Sequence, residues 1–343
     1  MRRLVPALLV PIAIVAALLL AYRVGWRGDA QPLVVYCAHD VMFSRQILGK
    51  FERETGIKVD PHFDNEATKS LGLTRKIIEE KDHPRCDVFW NNQWLGTADL
   101  AERGLLEPYK GPGYRRIPDR YKDPAGRFAG FAARLRVYIV NTDGLRPDPL
   151  VIEQILLASD LSRVAMARPL FGTTLTHFTV LWHQMGERGM KAWWRDWNDR
   201  HVTVRGGNAT VKNLVAGGEC DLGFTDTDDY FVARDAGKPV ELLPVRVGED
   251  DSVICIPNTV AIIKGTDRYE DAARLVDFLL SKQAELLLAR SPARQIPLGP
   301  VDESLLSDDV RRLRRWARDS HALSGLVEAR RSVLAWLQLE NGG

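Results

Sequence analysis

The chain alternates short apolar runs with segments whose apolar residues recur every three or four positions. A continuous apolar run at 33–37 and a mostly apolar run at 86–90, interrupted by Asp87, are typical of strands that are buried on both faces of a sheet. Helical spacing follows each run, at 41–55 and at 95–103. This order of strands and helices predicts a mostly parallel sheet with helices on both faces.

The same alternation returns in the middle of the chain. Strand patterns at 128–140 and 164–167 are followed by helical patterns that begin near Phe171 and at Asn208. Farther on, 269–290 has the spacing of one long amphipathic helix. We therefore expect a second α/β unit inserted into the first.

Two extended segments, near 134–140 and 254–263, would carry the chain between these units. Two lobes joined by such crossings leave a cleft that can close about a ligand. The predicted division is 31–134 plus 255–300 for lobe 1, and 135–254 plus 301–343 for lobe 2 and the C-terminal helices.

The N-terminus predicts export. Arg2 and Arg3 precede 4–22, which contains no charged residue. That length is close to the roughly 20 residues that span a bilayer. We interpret residues 1–30 as a signal peptide or an N-terminal membrane anchor, and the protein as periplasmic, tethered if this segment is retained.

The net charge of the chain bears on its possible binding partners. The chain has a net charge of +2, and its first thirty residues hold four arginines and one aspartate, so the remainder is near −1. This nearly balanced charge does not indicate nucleic-acid binding, which is typically marked by a strongly basic surface.

The four cysteines are widely spaced, which permits disulfides in an exported protein but is equally typical of buried thiols: Cys37, Cys86, Cys220 and Cys255.

The most informative segment is 225–230, Thr-Asp-Thr-Asp-Asp-Tyr, at the seam between a strand pattern and a helix pattern. In open α/β sheets, ligands bind outside the carboxyl ends of the strands. The three carboxylates of this segment predict a shared cation, ammonium group or set of hydroxyls. The alternative is helix capping, because acidic residues also suit the first turn of a helix.

Other polar residues at strand ends and helix starts are predicted to face the same cleft. Histidine can bind a metal, amide side chains orient hydroxyls or oxyanions, and free N–H groups at helix starts bind anions. These candidates are His39, Asn92, Gln93, Gly172, Thr173, Thr174 and Asn208.

From about Leu33 to Pro300 the sequence resembles the solute-binding proteins of ABC importers, in the branch of periplasmic ferric-ion-binding proteins. The motifs that carry the resemblance are Val-Val-Tyr-x-x-His at 34–39, Phe-Glu-x-Glu-Thr-Gly-Ile-Lys-Val at 51–59, Cys-Asp-Val-Phe-Trp-Asn-Asn at 86–92, Gly-Phe-x-x-Arg-x-Arg-Val at 130–137, Asn-Ala-Thr-Val at 208–211, Pro-Asn-Thr-Val-Ala at 257–261 and Ser-Pro-Ala-Arg-Gln-Ile-Pro-Leu at 291–298. The resemblance implies a type II periplasmic binding fold with two lobes, each having a mixed, mostly parallel sheet flanked by helices.

The resemblance also implies roles for individual residues. His39 stands where many ferric binders place an iron-ligating histidine, whereas Asn92 stands where some place a ligating glutamate. Gln93 matches a residue that helps to hold an anion bound with the iron, and Gly172, Thr173 and Asn208 fall near the anion positions. The paired tyrosines that give phenolate to iron are absent: Asp228 and Asp229 stand in their place, with Tyr230 next.

We therefore predict a monomeric, non-enzymatic binding component that delivers a small ligand to an ABC permease in the inner membrane. The ligand is predicted to be a metal ion, Fe(III) first, with an accompanying anion. His39, Asp228 and Asp229 would contact the cation and Asp226 and Tyr230 would support it, although carboxylates also suit Mg, Ca or Mn.

Two alternatives stay open. One is a binding protein for a polar organic solute such as an amine, a polyol or a phosphorylated compound. The other is an exported metal-dependent hydrolase, which would need a metal-bound water and a general base.

Overall fold

The computed structural model of the protein describes residues 31–64 and 71–341. The predicted signal peptide or anchor at 1–30 lies outside these residues. Within the described part of the chain, no helix is long and apolar enough to cross a membrane.

The elements occur in an alternating order along the chain. The strands are β1 Leu33–Cys37, β2 Val59–Phe63, β3 Val88–Asn91, β4 Leu106–Glu107, β5 Ala129–Asn141, β6 Val164–Met166, β7 Thr203–Val204, β8 Leu222–Asp226, β9 Val240–Pro244, β10 Arg246–Val247, β11 Ser252–Val253 and β12 Cys255–Ile263. The helices are α1 Val41–Thr55, α2 Leu71–Glu79, α3 Trp94–Glu102, α4 Pro112–Arg116, α5 Pro149–Leu156, α6 Gly172–Asp199, α7 Asn208–Ala216, α8 Thr227–Asp235, α9 Tyr269–Leu279, α10 Lys282–Arg290, α11 Asp308–Ala317 and α12 Val327–Asn341.

A mixed sheet organises these elements, with strand order β2-β1-β3-β12-β5-β8-β6-β7. β1 pairs in parallel with β2 and β3, and β6 pairs in parallel with β7 and β8. The long strands β5 and β12 run antiparallel to their neighbours. The apolar runs form β1 and β3, which confirms the prediction of a sheet with buried strands.

β5 belongs to both halves of the sheet. Its residues 129–135 pair with β12, whereas 136–141 pair with β8 and β9. The pairing register with β12 shifts between Ile256 and Asn258, and Ala132, which lies in the matching part of β5, has a left-handed φ of 43°. Such a bulge redirects the side chains that follow it, and here it precedes Arg134 and Arg136.

One predicted helix is wrong in its extent. The expected single helix at 269–290 is two helices, α9 and α10, separated at Leu280 and Ser281. The Ser281 side chain accepts a hydrogen bond from the Ala284 amide and caps α10. The apolar periodicity continues through this cap, so periodicity alone could not place the break.

The four cysteines are buried free thiols, so of the two expected arrangements the structure has buried thiols and not disulfides. Burial raises the pKa of the Cys86 and Cys255 thiols, and in Cys86 the carboxylate of Asp87 adds to this effect. These thiols therefore behave as small apolar core side chains.

The C-terminal helix α12 packs against elements from two distant parts of the chain. The Trp336 ring lies 5.6 Å from that of Trp182 in α6. On the other side, Arg331 donates hydrogen bonds to the buried carboxylate of Asp99 in α3, at 2.9 and 2.5 Å. α12 thereby links α3 to α6.

Candidate functional site

A cavity of about 190 Å³ lies where β8 passes into α8, and all three carboxylates of the acidic segment line it. Oxygens of Asp226, Asp228 and Asp229 lie within 4.8 Å of one another. Asp226 is the last residue of β8, and the other two occupy the first turn of α8. The predicted strand-to-helix seam therefore brings these side chains together.

Helix capping does not explain the contacts of the Asp226 side chain. It occupies the N-cap position of α8, yet its side chain makes no capping hydrogen bond. Its Oδ1 instead accepts from Arg136 at 2.8 Å, and its Oδ2 accepts from Thr173 at 2.6 Å and from Asn208 at 2.9 Å. Both oxygens of this buried carboxylate are thus held by other elements of the fold.

Arg134 provides the second ion pair of the site. Its Nε donates to Asp228 at 3.0 Å, and its Nη1 donates to the backbone oxygen of Asn92 at 2.5 Å. Its Nη2 donates to Asn258 at 3.0 Å. Burial alone would lower the pKa of Arg134, but the carboxylates of Asp228 and Asp226 outweigh it and raise the pKa. The guanidinium is therefore a permanent positive charge beside the cavity.

Arg134 and Arg136 are further functional candidates, which in the sequence stand out only as part of the Gly-Phe-x-x-Arg-x-Arg-Val motif. Arg134 and Arg136 are 2% and 0% exposed, respectively. Residues at i and i+2 of a strand point to the same face. Two cations on one face of an otherwise apolar strand were a usable signal, because buried arginines are rare unless paired.

Two helix starts form another part of the cavity wall. Gly172 has φ = 59°, a left-handed conformation that favours glycine, and it begins α6. Thr173 and Thr174 follow it, and Asn208 begins α7. The Asn208 side chain joins the two starts, accepting from Thr174 at 3.2 Å and donating to Thr173 at 2.8 Å. The predicted anion positions therefore lie together, next to the acidic cluster.

Asn92, another of the predicted site residues, also lines the cavity. It is 5% exposed, and its Oδ1 has no hydrogen-bond partner within residues 31–64 and 71–341. Because an unpaired buried acceptor costs free energy, a ligand that donates a hydrogen bond there would be stabilised.

Two predicted site residues are engaged beside the cavity and are not part of its lining. His39 is buried, its ring stacks on Trp90, and its Nε2 lies 2.8 Å from the side-chain amide of Gln295. The Gln93 side chain caps α3 by accepting from the Gly96 amide at 3.1 Å.

Tyr230 is likewise absent from the lining. Its hydroxyl donates to Glu241 of β9 at 2.9 Å. Burial, followed by the Glu241 carboxylate, raises the pKa of the Tyr230 phenol. In this arrangement the phenol stays protonated and points to β9.

His177 makes folding stability depend on pH. This buried side chain lies one turn after Thr173, and burial followed by the charge of Arg136 lowers its pKa well below 6.5. The unfolded chain therefore binds more protons than the folded chain below pH 6.5. We expect the free energy of unfolding to fall by about 1 kcal/mol between pH 6.5 and pH 5.5 through this residue.

Urea titrations at both pH values, on the protein and on His177→Phe, measure this contribution. The variant is expected to have a smaller decrease with falling pH. Equal decreases in the two proteins would contradict the assignment.

The chain and its relatives share one fold. It aligns with the crystal structure of apo ferric ion-binding protein A from Pasteurella haemolytica with a TM-score of 0.77 and 19% identity, covering 91% of this chain and 98% of that one. It aligns with the periplasmic binding protein AfuA from Actinobacillus pleuropneumoniae, solved with fructose-6-phosphate bound, with a TM-score of 0.74 and 19% identity over 90% and 98% of the two chains. The architecture is thus the two-lobed type II periplasmic binding fold.

The sequence comparison identifies the protein family. Residues 33–291 match the family of bacterial extracellular solute-binding proteins, and the chain belongs to this family. A curated relative, the Fe(3+)-binding periplasmic protein of Serratia marcescens, is 25% identical over 297 residues, which cover 84% of this chain and 86% of that protein. The predicted family and fold are confirmed.

Proposed function

We propose that this protein is the substrate-binding component of an ABC importer, working in the periplasm as a monomer that delivers its ligand to an inner-membrane permease. Membership of the solute-binding family supports this role. The proposed lobes are 31–134 with 255–300, and 135–254 with 301–343. β5 and β12 would then be the crossings, and the cavity beside Asp226 would be the ligand cleft.

The first candidate ligand is a hard metal cation, Fe(III) above others, bound with an anion. The observation that carries it is the group of three carboxylates with oxygens within 4.8 Å of one another. Hard cations prefer such oxygen ligands. Asp228 and Asp229 would contact the cation, and Asp226, held by Arg136, Thr173 and Asn208, would support it. The helix starts at Gly172 and Asn208 would hold the anion.

Titration calorimetry of the purified protein with Fe(III)-citrate, Mn(II) and Ca(II) tests this ligand. Saturable binding of one cation per chain, tightest for Fe(III)-citrate, is the expected result. Absence of binding to all three would contradict the metal proposal and leave the importer role in place.

The second candidate is a phosphorylated polyol, and a different observation favours it. Two of the three carboxylates already pair with the buried cations Arg134 and Arg136, so the cluster carries less net negative charge than its sequence suggests. Asn92 offers an unpaired acceptor for a hydroxyl, and Lys212 joins the cavity wall. The phosphate would bind at the helix starts and the hydroxyls at the carboxylates.

Fructose 6-phosphate is the probe for this second candidate. If it is correct, the sugar phosphate binds the metal-free protein, and Lys212→Gln weakens binding about tenfold through loss of a charge-assisted contact. The matched control is Lys238→Gln, which removes an exposed lysine outside the cavity. Equal affinity in the two variants would count against a phosphate at this wall.

A further inference from the structure

A second cavity, of about 820 Å³, lies outside the cleft described above. Its walls are the C-terminal half of α6, the loop at 168–170 and the end of α12, with Val204 of the edge strand β7 beneath them. It shares no lining residue with the acidic cavity. The volume is within the range of about 300–1,000 Å³ typical of small-molecule sites.

The charged groups of this second cavity are mostly positive. Among the described residues, its cations are Arg168, Lys191 and Arg195, and its one carboxylate is that of Glu340. Glu340 accepts from the Trp336 indole at 3.2 Å, and Lys191 pairs with Glu187 at 2.6 Å. The Arg168 and Arg195 side chains have no ion-pair partner among the residues that the structure describes. Two guanidinium groups thus stand unneutralised at one cavity.

Two indole rings complete the wall. Trp194 is partly exposed, and its ring is fixed by an edge contact with Phe178, 5.0 Å between ring centres. Trp336 is buried against Trp182. Rigid aromatic surfaces bind planar apolar groups at little cost in conformational entropy, and guanidinium groups bind carboxylate, sulfonate or phosphate groups in bidentate geometry.

We propose that this cavity is a second binding site, for a small anionic molecule that carries an aromatic ring. The anionic group lies between Arg168 and Arg195, and the ring rests on Trp194. Such a ligand also touches the loop at 168–170, which continues directly through Phe171 into Gly172 of the cleft. The site is therefore adjacent to the cleft wall while being separate from it.

Titration calorimetry of the full-length protein with naphthalene-2-sulfonate tests the proposal. We expect saturable binding of one probe molecule at this site that weakens as NaCl rises from about 50 to about 500 mM, because exposed charges are screened by salt. The double variant Arg168→Gln, Arg195→Gln is expected to bind at least about tenfold more weakly, through loss of charge-assisted contacts. Trp194→Leu is expected to weaken binding without changing its salt dependence.

Two controls separate this site from general attraction to a basic surface and from the cleft. Arg146→Gln with Arg246→Gln removes two arginines from other exposed positions, and Lys212→Gln removes a cation from the cleft. Both controls should bind the probe as the unmodified protein does, with unchanged melting temperatures in the arginine and lysine variants. Any of three results would overturn the proposal. The probe does not bind saturably; the affinity falls equally in the Arg168→Gln, Arg195→Gln variant and in the Arg146→Gln, Arg246→Gln control; or the affinity falls in Lys212→Gln and not in the Arg168→Gln, Arg195→Gln variant.

Discussion

Replacing Asp226 with alanine is expected to lower the free energy of unfolding by about 3–5 kcal/mol, the range for breaking a buried ion pair. Arg136 is fully buried, and only its Nη1 has hydrogen-bond partners among the described residues. Without the carboxylate, those partners are the neutral oxygens of Thr173 and Asn208. The uncompensated cation is the source of the loss, and urea unfolding at neutral pH measures it.

A double variant and an exposed pair serve as the controls for this prediction. Asp226→Ala with Arg136→Met removes the buried cation as well, so it should be more stable than Asp226→Ala alone. Asp221→Ala breaks the exposed pair with Arg163 and should cost at most about 1 kcal/mol. If Asp226→Ala cost no more than Asp221→Ala, the ion pair with Arg136 would not hold this part of the fold.

The double variant Asp228→Asn, Asp229→Asn is expected to weaken Fe(III)-citrate binding roughly 100-fold or more. Each substitution keeps the shape of the side chain and removes one anionic oxygen ligand. A contact to a charged group contributes about 1.5–3 kcal/mol, and every 1.4 kcal/mol is about tenfold in affinity. Titration calorimetry at constant citrate and ionic strength provides the measurement.

The chain offers a matched control for this variant. Asp250 and Asp251 are also adjacent aspartates, but they are exposed and do not line the acidic cavity. Asp250→Asn with Asp251→Asn makes the same change in net charge and should leave affinity within about twofold, since exposed charges are screened. Equal affinities in the two double variants would exclude Asp228 and Asp229 as metal ligands.

Local sequence patterns identified much of the sheet and one side of the site. The apolar residues at 33–37 and 88–90 lie in the buried strands β1 and β3, because strands that are covered on both faces of the sheet favour apolar side chains. The acidic cluster was found because β8 ends and α8 begins within it. Patterns failed at Ser281, where a cap interrupts a helix without interrupting its apolar spacing.

His39, Gln93 and Tyr230 illustrate a second limit. Their chain positions, next to strand or helix ends, are as expected, but side-chain direction depends on neighbours from other segments. Gln295, far along the chain, lies against His39, and Glu241 accepts from Tyr230. A chain position next to the cleft therefore does not establish that the side chain contacts a ligand in the cleft.

The sequence by itself determined the alternation of strands and helices, the family and the position of the three carboxylates. Only the tertiary structure decided what those carboxylates face. Arg134 lies 94 residues before Asp228, and Arg136 lies 90 residues before Asp226. Pairing across β5 and β8 brings them together, and burial makes each pair obligatory because an isolated charge there would be too costly to desolvate.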